Sequence, residues 1–174
     1  MSLELIKGLR ATRVFSDVPV GREQVRAVLE VARWAGSARN RQPWRFVVVR
    51  DQGLLRELSV LGAYAGHLAG ASVVVLLAVD GTVSADDAEF DAGRAAQNLM
   101  LAAHALGLGS CPASFFPAVN VRAATELAGL REPWRVRTGI SLGYPAPPLQ
   151  GSPAIPQGRL PLSDLVIEPP QRDG

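Results

Sequence analysis

The spacing of apolar residues changes several times along the chain, and each change predicts an element. Leu3, Leu5, Ile6 and Leu9 fit a short amphipathic helix. From Gly21 to about Ala35, Val25, Val28, Leu29 and Ala32 share one face at helical spacing, giving a second helix. Phe46 to Val49 is a short apolar run that reads as a buried strand. Asp51 is placed to cap a helix carrying Leu54, Leu55, Leu58 and Leu61. Ser72 to Asp80 is the strongest strand pattern. Ser84-Ala-Asp-Asp87 reads as a capping box opening a long helix that ends at Gly107. Cys111 to Phe116 is expected to be extended, Asn120 to cap a helix ending at Gly129, and Arg137 to Leu142 to form a strand. The Pro- and Gly-rich stretch Tyr144 to Pro156 reads as a loop, and Leu160 to Ile167 as a final strand. This order argues for an α+β fold, with helices on both sides of a small mixed sheet.

The helix from Asp87 to Leu106 carries Phe90, Ala92, Ala95, Ala96, Leu99, Met100, Leu101, Ala102, Ala103, Ala105 and Leu106, which leaves almost no polar face. A helix that is apolar all round must be buried all round. At 174 residues the chain has little interior for it, so a subunit interface is the economical explanation; a central helix in a compact monomer is the alternative.

Composition narrows the chemistry. With 48% apolar and 20% charged residues the chain can bury a core, and a net charge of +2 does not suggest nucleic acid. One cysteine, Cys111, rules out an internal disulfide. The start MSLELIKGLR has no apolar run of signal-peptide length, and Val73 to Val79 is far short of a membrane span, so the protein reads as cytoplasmic. His67 and His104 lack metal-ligand spacing, so no metal site is expected, and no nucleophile elbow or P-loop occurs. Gly107-Leu-Gly109 follows a helix instead of a strand and meets Pro112 where a third glycine belongs, so a Rossmann fingerprint fails on context. What is missing favours a cofactor that carries the chemistry.

Of 18 basic residues only Lys7 is lysine, so an anion site here is built from guanidinium forks. Arg10-Ala-Thr-Arg13 puts two of them around a hydroxyl. Arg33, Arg39, Arg41 and Arg45 follow with no acid between Glu30 and Asp51, and Ser37, Asn40 and Gln42 are interleaved with them. Arg159 is the only charged residue between Arg137 and Asp164. Bidentate arginine suits phosphate, and amides and hydroxyls suit the polar edge of a flat heterocycle.

These pieces resemble the nitroreductase-like flavoproteins. The resemblance rests on Arg10-Ala-Thr-Arg-Val-Phe15, Pro19-Val20, the run Ala35 to Phe46 with its Asn-Arg-Gln-Pro-Trp-Arg-Phe ending, the run Asp91 to Cys111, Gly143-Tyr-Pro145, and Arg159 before Pro161 to Val166. The set occurs in order over nearly the whole chain, 1–174 as a single domain. It implies an intertwined homodimer with an FMN in each interface cleft, and residues 145–174 as a C-terminal extension reaching the partner subunit. Arg10, Ala11 and Thr12 are then expected near the phosphate and ribityl chain, and Arg13 near the pyrimidine end of the ring. Ser37 and Asn40 approach the ring from the partner, and Arg159 holds the phosphate. Pro112, Ala113 and Ser114 match the segment whose backbone faces the reactive N5 edge.

The implied activity needs no catalytic side chain: NADH or NADPH gives hydride to N5 and leaves, and a nitroaromatic, quinone or similar acceptor takes its place. Relatives of the fold also dehalogenate phenols, oxidise azoline rings or break down flavin, and a non-catalytic flavin store is a further alternative. Three departures stand out. Leu9 replaces an arginine of the commoner pair, Gly36 replaces a proline, and Pro112 removes an N–H, which leaves Ala113 or Ser114 as the N5 donor.

Overall fold

A computed structural model describes residues 3–82, 84–147 and 158–169. Helix α1 (Leu3–Gly8) and helix α2 (Arg22–Ala32) lead to strand β1 (Trp44–Val49), helix α3 (Gln52–Ser59) and strand β2 (Val73–Asp80). Helix α4 (Ala85–Ala105), strand β3 (Gly109–Ser114), helix α5 (Ala118–Leu127) and strand β4 (Trp134–Gly143) complete the body. The strands form one sheet in the order β1-β2-β4-β3. Every strand pair is antiparallel, where a mixed sheet was expected; the isolated bridge between Ala11 and Ser110 is parallel. None of the described helices is long and apolar enough to cross a membrane.

Central strand β2 is apolar throughout because both sheet faces are covered. Val73, Val75, Leu77 and Val79 face one cluster with Val28, Leu99 and Leu142, while Val74, Leu76 and Ala78 face another with Leu55, Leu58 and Phe115. The period-2 alternation of a strand thus feeds two cores. Burying a leucine in either stabilises by roughly 1.5–3 kcal/mol.

The helix ends follow their local chemistry. Asp51 Oδ1 accepts the Leu54 N–H at 2.8 Å and caps α3. Gly107 closes α4 at φ +73°: its N–H reaches the His104 carbonyl, and the Leu108 N–H reaches the Ala103 carbonyl at 2.9 Å, a pair that requires a left-handed residue. The capping box at Ser84 is not formed; α4 begins there on backbone bonding, with Asp86 and Asp87 in its first turn. Asn120 is not the cap of α5, which starts after Pro117. Its side chain instead donates to the Leu61 and Phe116 carbonyls at 3.0 and 2.9 Å.

The final strand expected at Leu160 to Ile167 is a short 3-10 turn, Leu162–Asp164, in which every residue is exposed. A strand needs a neighbour to pair with, and none of the described residues pairs with this segment. Most of the loop expected at Tyr144 to Pro156 lies outside the described residues. Its start is fixed, because the Ser16 N–H reaches the Tyr144 carbonyl at 2.9 Å and the Ala146 N–H reaches Val14 at 3.1 Å.

Helix α4 buries Ala88, Asp91, Ala92, Ala95, Leu99 and Ala103 within the chain, against α2 and the sheet. It is not enclosed all round, since Phe90 is 70% exposed and Gly93, Arg94 and Gln97 are exposed beside it.

Candidate functional site

The expected site residues fall into three groups. The first is at the C-terminal end of α4. Gly8 packs against His104, which lays the segment after α1 over that end. The Thr12 N–H donates to the Ser110 carbonyl at 2.9 Å, holding Arg10 to Arg13 against the edge of β3. Gly109 is what permits this approach: a Cβ there would stand 2.6 Å from Thr12 Cβ. The Ser110 hydroxyl is buried beneath this contact with no hydrogen-bond partner among the described residues. Arg10 and Arg13 are exposed, and Arg10 donates to the Lys7 and Leu9 carbonyls at 2.6 and 2.9 Å.

Strand β3 carries Pro112, Ala113 and Ser114 in the same place. The Phe115 N–H bonds the Arg137 carbonyl across to β4, and in an antiparallel pair alternate residues point the same way. Cys111 and Ala113 therefore aim their backbone groups at β4, and Ser110, Pro112 and Ser114 aim theirs at the outer edge. Pro112 has no N–H, so of Pro112, Ala113 and Ser114 only Ser114 presents an N–H to that edge. Loop 61–66 meets the same edge further along. The Phe116 N–H reaches Leu61 at 3.1 Å, and Gly62 lies so close to the Ser114 carbonyl that no side chain fits.

Behind this edge is a cluster with no local sequence signal, because its members lie far apart in the chain. His67 Nδ1 is 2.9 Å from Ser141 Oγ, and Ser141 Oγ donates to the Cys111 carbonyl at 3.2 Å. Burial pushes the His67 pKa down and the Arg13 charge adds to the fall, while the Pro112 carbonyl opposes it. Burial pushes the Cys111 thiol up, against a smaller downward pull from Arg13. At 1% exposure Cys111 is a small packing residue, with none of the thiolate character of a reactive cysteine.

The second group, Ser37 and Asn40, stands at the opposite end of α4. Asp91, 3% exposed, accepts the Ala38 N–H at 2.8 Å and ties the loop down. Ser37 Oγ accepts the Gln42 N–H at 2.9 Å, and the Gln42 amide donates to the Asn40 side chain at 3.2 Å. Arg39, Asn40 and Gln42 have φ between +50° and +53°, a region that disfavours residues with a side chain. Gly36 leaves room for Arg94, whose Nη2 would lie 2.7 Å from a Cβ there. Asp91 opens the run Asp91 to Cys111 that carries the family resemblance, but neither it nor Arg94 is among the expected site residues. The signal in the sequence is an acid and a base three apart on one helix.

Asp91 and His104 are separated by about 20 Å along the helix axis at 1.5 Å per residue. One chain therefore does not bring Ser37 and Asn40 to Arg10–Arg13. The third group, Arg159, is exposed and donates to its neighbouring Gly158 carbonyl at 2.7 Å. Among the described residues no group of three or more His, Cys, Asp or Glu is placed to hold a metal ion.

The sequence profile of the Nitroreductase family matches residues 6–65 and 56–144. This chain belongs to that family. A protein of Archaeoglobus fulgidus with the provisional name NADH dehydrogenase/NAD(P)H nitroreductase is 35% identical over 147 residues, covering 82% of this chain and 84% of its own. Among solved structures, a provisionally named nitroreductase of Desulfovibrio desulfuricans in complex with FMN superposes with a TM-score of 0.81 at 31% identity, covering 98% of this chain and 97% of that one. An FMN-dependent nitroreductase of Clostridium difficile R20291 gives a TM-score of 0.79 at 26% identity, covering 88% of this chain and 92% of that one.

Proposed function

We propose that this chain is a cytoplasmic, homodimeric FMN-dependent oxidoreductase that passes electrons from NADH or NADPH to a small organic acceptor such as a nitroaromatic or a quinone. The observation that carries the reading is the juxtaposition of Arg10–Arg13 with the outer edge of β3, over the unpartnered Ser110 hydroxyl. The donor set fits FMN: guanidinium groups for the phosphate, hydroxyls for the ribityl chain, and a backbone N–H for the ring edge.

FMN, when bound, supplies a group that takes up a hydride and gives up electrons in a separate step. The protein's own part is binding and electrostatics. Arg10 and Thr12 hold the phosphate and ribityl end, with Ala11 letting the backbone approach. Arg13 places positive charge where the reduced ring gains negative charge. Ser114 donates its N–H at the reacting edge, Ala113 turns its own N–H to β4, and Pro112, two residues earlier on the outer edge, brings no competing N–H. Arg159, from the C-terminal segment, adds a second guanidinium to the phosphate.

Two copies are needed because the Ser37–Asn40 loop and the Arg10–Arg13 loop sit at opposite ends of α4. Antiparallel helices from two subunits bring one subunit's first group to its partner's second. Exposed Trp34 and Phe90, and the exposed Leu162, Val166 and Ile167 of the C-terminal segment, supply the apolar surface such an interface covers. Residues 145–174 then reach the partner; strand β1 has an open edge over a groove shared with α2, which suits an added segment. The test is steady-state oxidation of NADH and NADPH with a quinone or nitroarene. Donor consumption that depends on added FMN supports the reading, and bound flavin that neither donor reduces refutes it.

A further inference from the structure

A groove of about 740 Å³ opens between α5, residues 130–132 and the start of β4, apart from every residue assigned to the flavin. Its floor is apolar, with buried Phe115 and half-buried Trp134, and Phe116 stands on its wall with 73% of its surface exposed. Trp134 is backed by Arg45, whose guanidinium carbon lies 5.0 Å from the ring centre. Arg122, Arg131 and Arg137 also line it. None of the three has a carboxylate within ion-pair distance among the described residues, whereas Arg135 beside them is held by Glu89 at 3.4 Å. Glu126 and Glu132 share the lining, which leaves arginines in excess over acids.

The position matters as much as the charge. Phe115 and Phe116 follow Ser114 directly, so the groove begins within about 7 Å of the N–H assigned to the ring edge, at roughly 3.3 Å per extended residue. A nicotinamide delivered to that edge leaves the rest of its dinucleotide to lie along the adjoining surface.

The geometry points to this groove as the seat of the adenosine 2′-phosphate of NADPH, an assignment that rests on the oxidoreductase reading above. A phosphate monoester carries a charge of about −1.5 to −2 and offers oxygens for guanidinium forks. The exposed Phe116 ring offers a stacking face for adenine, as aromatic side chains do for any base. NADH presents a ribose hydroxyl in the same place and leaves the three arginines without an anion. The enzyme therefore selects NADPH.

The test is a calorimetric titration of the flavin-loaded protein with 2′,5′-ADP and with 5′-ADP, repeated on the Arg131→Ala/Arg137→Ala variant. Loss of a charge-assisted contact is worth about tenfold or more in affinity. The expected result is 2′,5′-ADP binding about tenfold tighter than 5′-ADP, with the advantage lost in the variant. In turnover, KM for NADPH rises about tenfold in the variant, while KM for NADH and both kcat values stay put. Equal binding of the two nucleotides by the unaltered protein overturns the assignment, and so does a variant that raises both KM values alike. An unaltered protein that retains flavin but oxidises neither donor refutes the oxidoreductase reading instead; the nucleotide titration still decides what the groove binds.

Discussion

Asp91→Ala should detach the Ser37–Asn40 loop from α4, and its effect can be sized from the structure. The carboxylate accepts the Ala38 N–H at 2.8 Å from a buried position. A hydrogen bond to a charged acceptor contributes roughly 1.5–3 kcal/mol. The Arg94 contact at 3.6 Å involves a half-exposed guanidinium and adds no more than about 0.5 kcal/mol. The loop it holds contains left-handed Arg39, Asn40 and Gln42, each disfavoured by roughly 1–2 kcal/mol, so release lets the backbone relax. We expect a loss of about 2–3 kcal/mol in urea unfolding with an unchanged slope, and a fall in Tm of roughly 4–12 °C. Asp91→Asn keeps an acceptor without its charge and should lose about half as much. Trypsin should cut the Asp91→Ala variant faster after Arg39 and Arg41, sites within the released loop. Stability within about 0.5 kcal/mol of the parent, the range of an ordinary surface change, together with parental trypsin rates, would refute the tether.

Further consequences concern the other end of α4. Gly109→Ala places a Cβ against Thr12, where the nearest atoms belong to a short branched side chain that cannot swing away; flavin retention after desalting should fall, with the far-UV spectrum unchanged. Arg13→Ala should lower the potential of bound flavin by roughly 20–60 mV, taking about 1–3 kcal/mol for the lost charge interaction in a two-electron couple; an unchanged potential removes Arg13 from the ring. His67 is held below its ordinary pKa in the folded state, so the unfolded chain binds its proton first as pH falls. Its contribution to stability is complete above about pH 6.5 and declines below it until the folded group also protonates. Unfolding free energy measured from pH 8 to pH 5 should fall less steeply in His67→Gln, and identical slopes would show that another group governs this range.

Much of this fold could be read from local pattern, and the exceptions have physical causes. The apolar run of β2 and the glycine after α4 are single-segment signals, one set by burial on both faces and one by the left-handed turn. Trp44 and Arg45 extend β1 beyond the expected Phe46 start, because Arg45 lies on the exposed side of an alternating strand and hides the pattern. Gly109 and Ser110 begin β3 without strand-forming side chains; their place is fixed by Thr12 and β4 across the fold. Leu160 to Ile167 has the composition of a strand but no pairing strand among the described residues. The Arg10–Arg13 and Pro112–Ser114 segments were both visible as chemistry, and their meeting through Ala11 and Ser110 needed the topology. Asp91, Arg94 and His67 act through partners 53, 58 and 74 residues away in the chain, beyond the reach of any local spacing.

The most direct test of the central claim is the visible absorbance spectrum of the purified protein, taken before and after addition of FMN and desalting. A retained flavin band near one equivalent per subunit is expected if Arg10–Arg13 and the edge of β3 form the cofactor site. Absence of flavin even after incubation in excess would contradict it, showing that Arg10–Arg13 and the edge of β3 do not form the cofactor site.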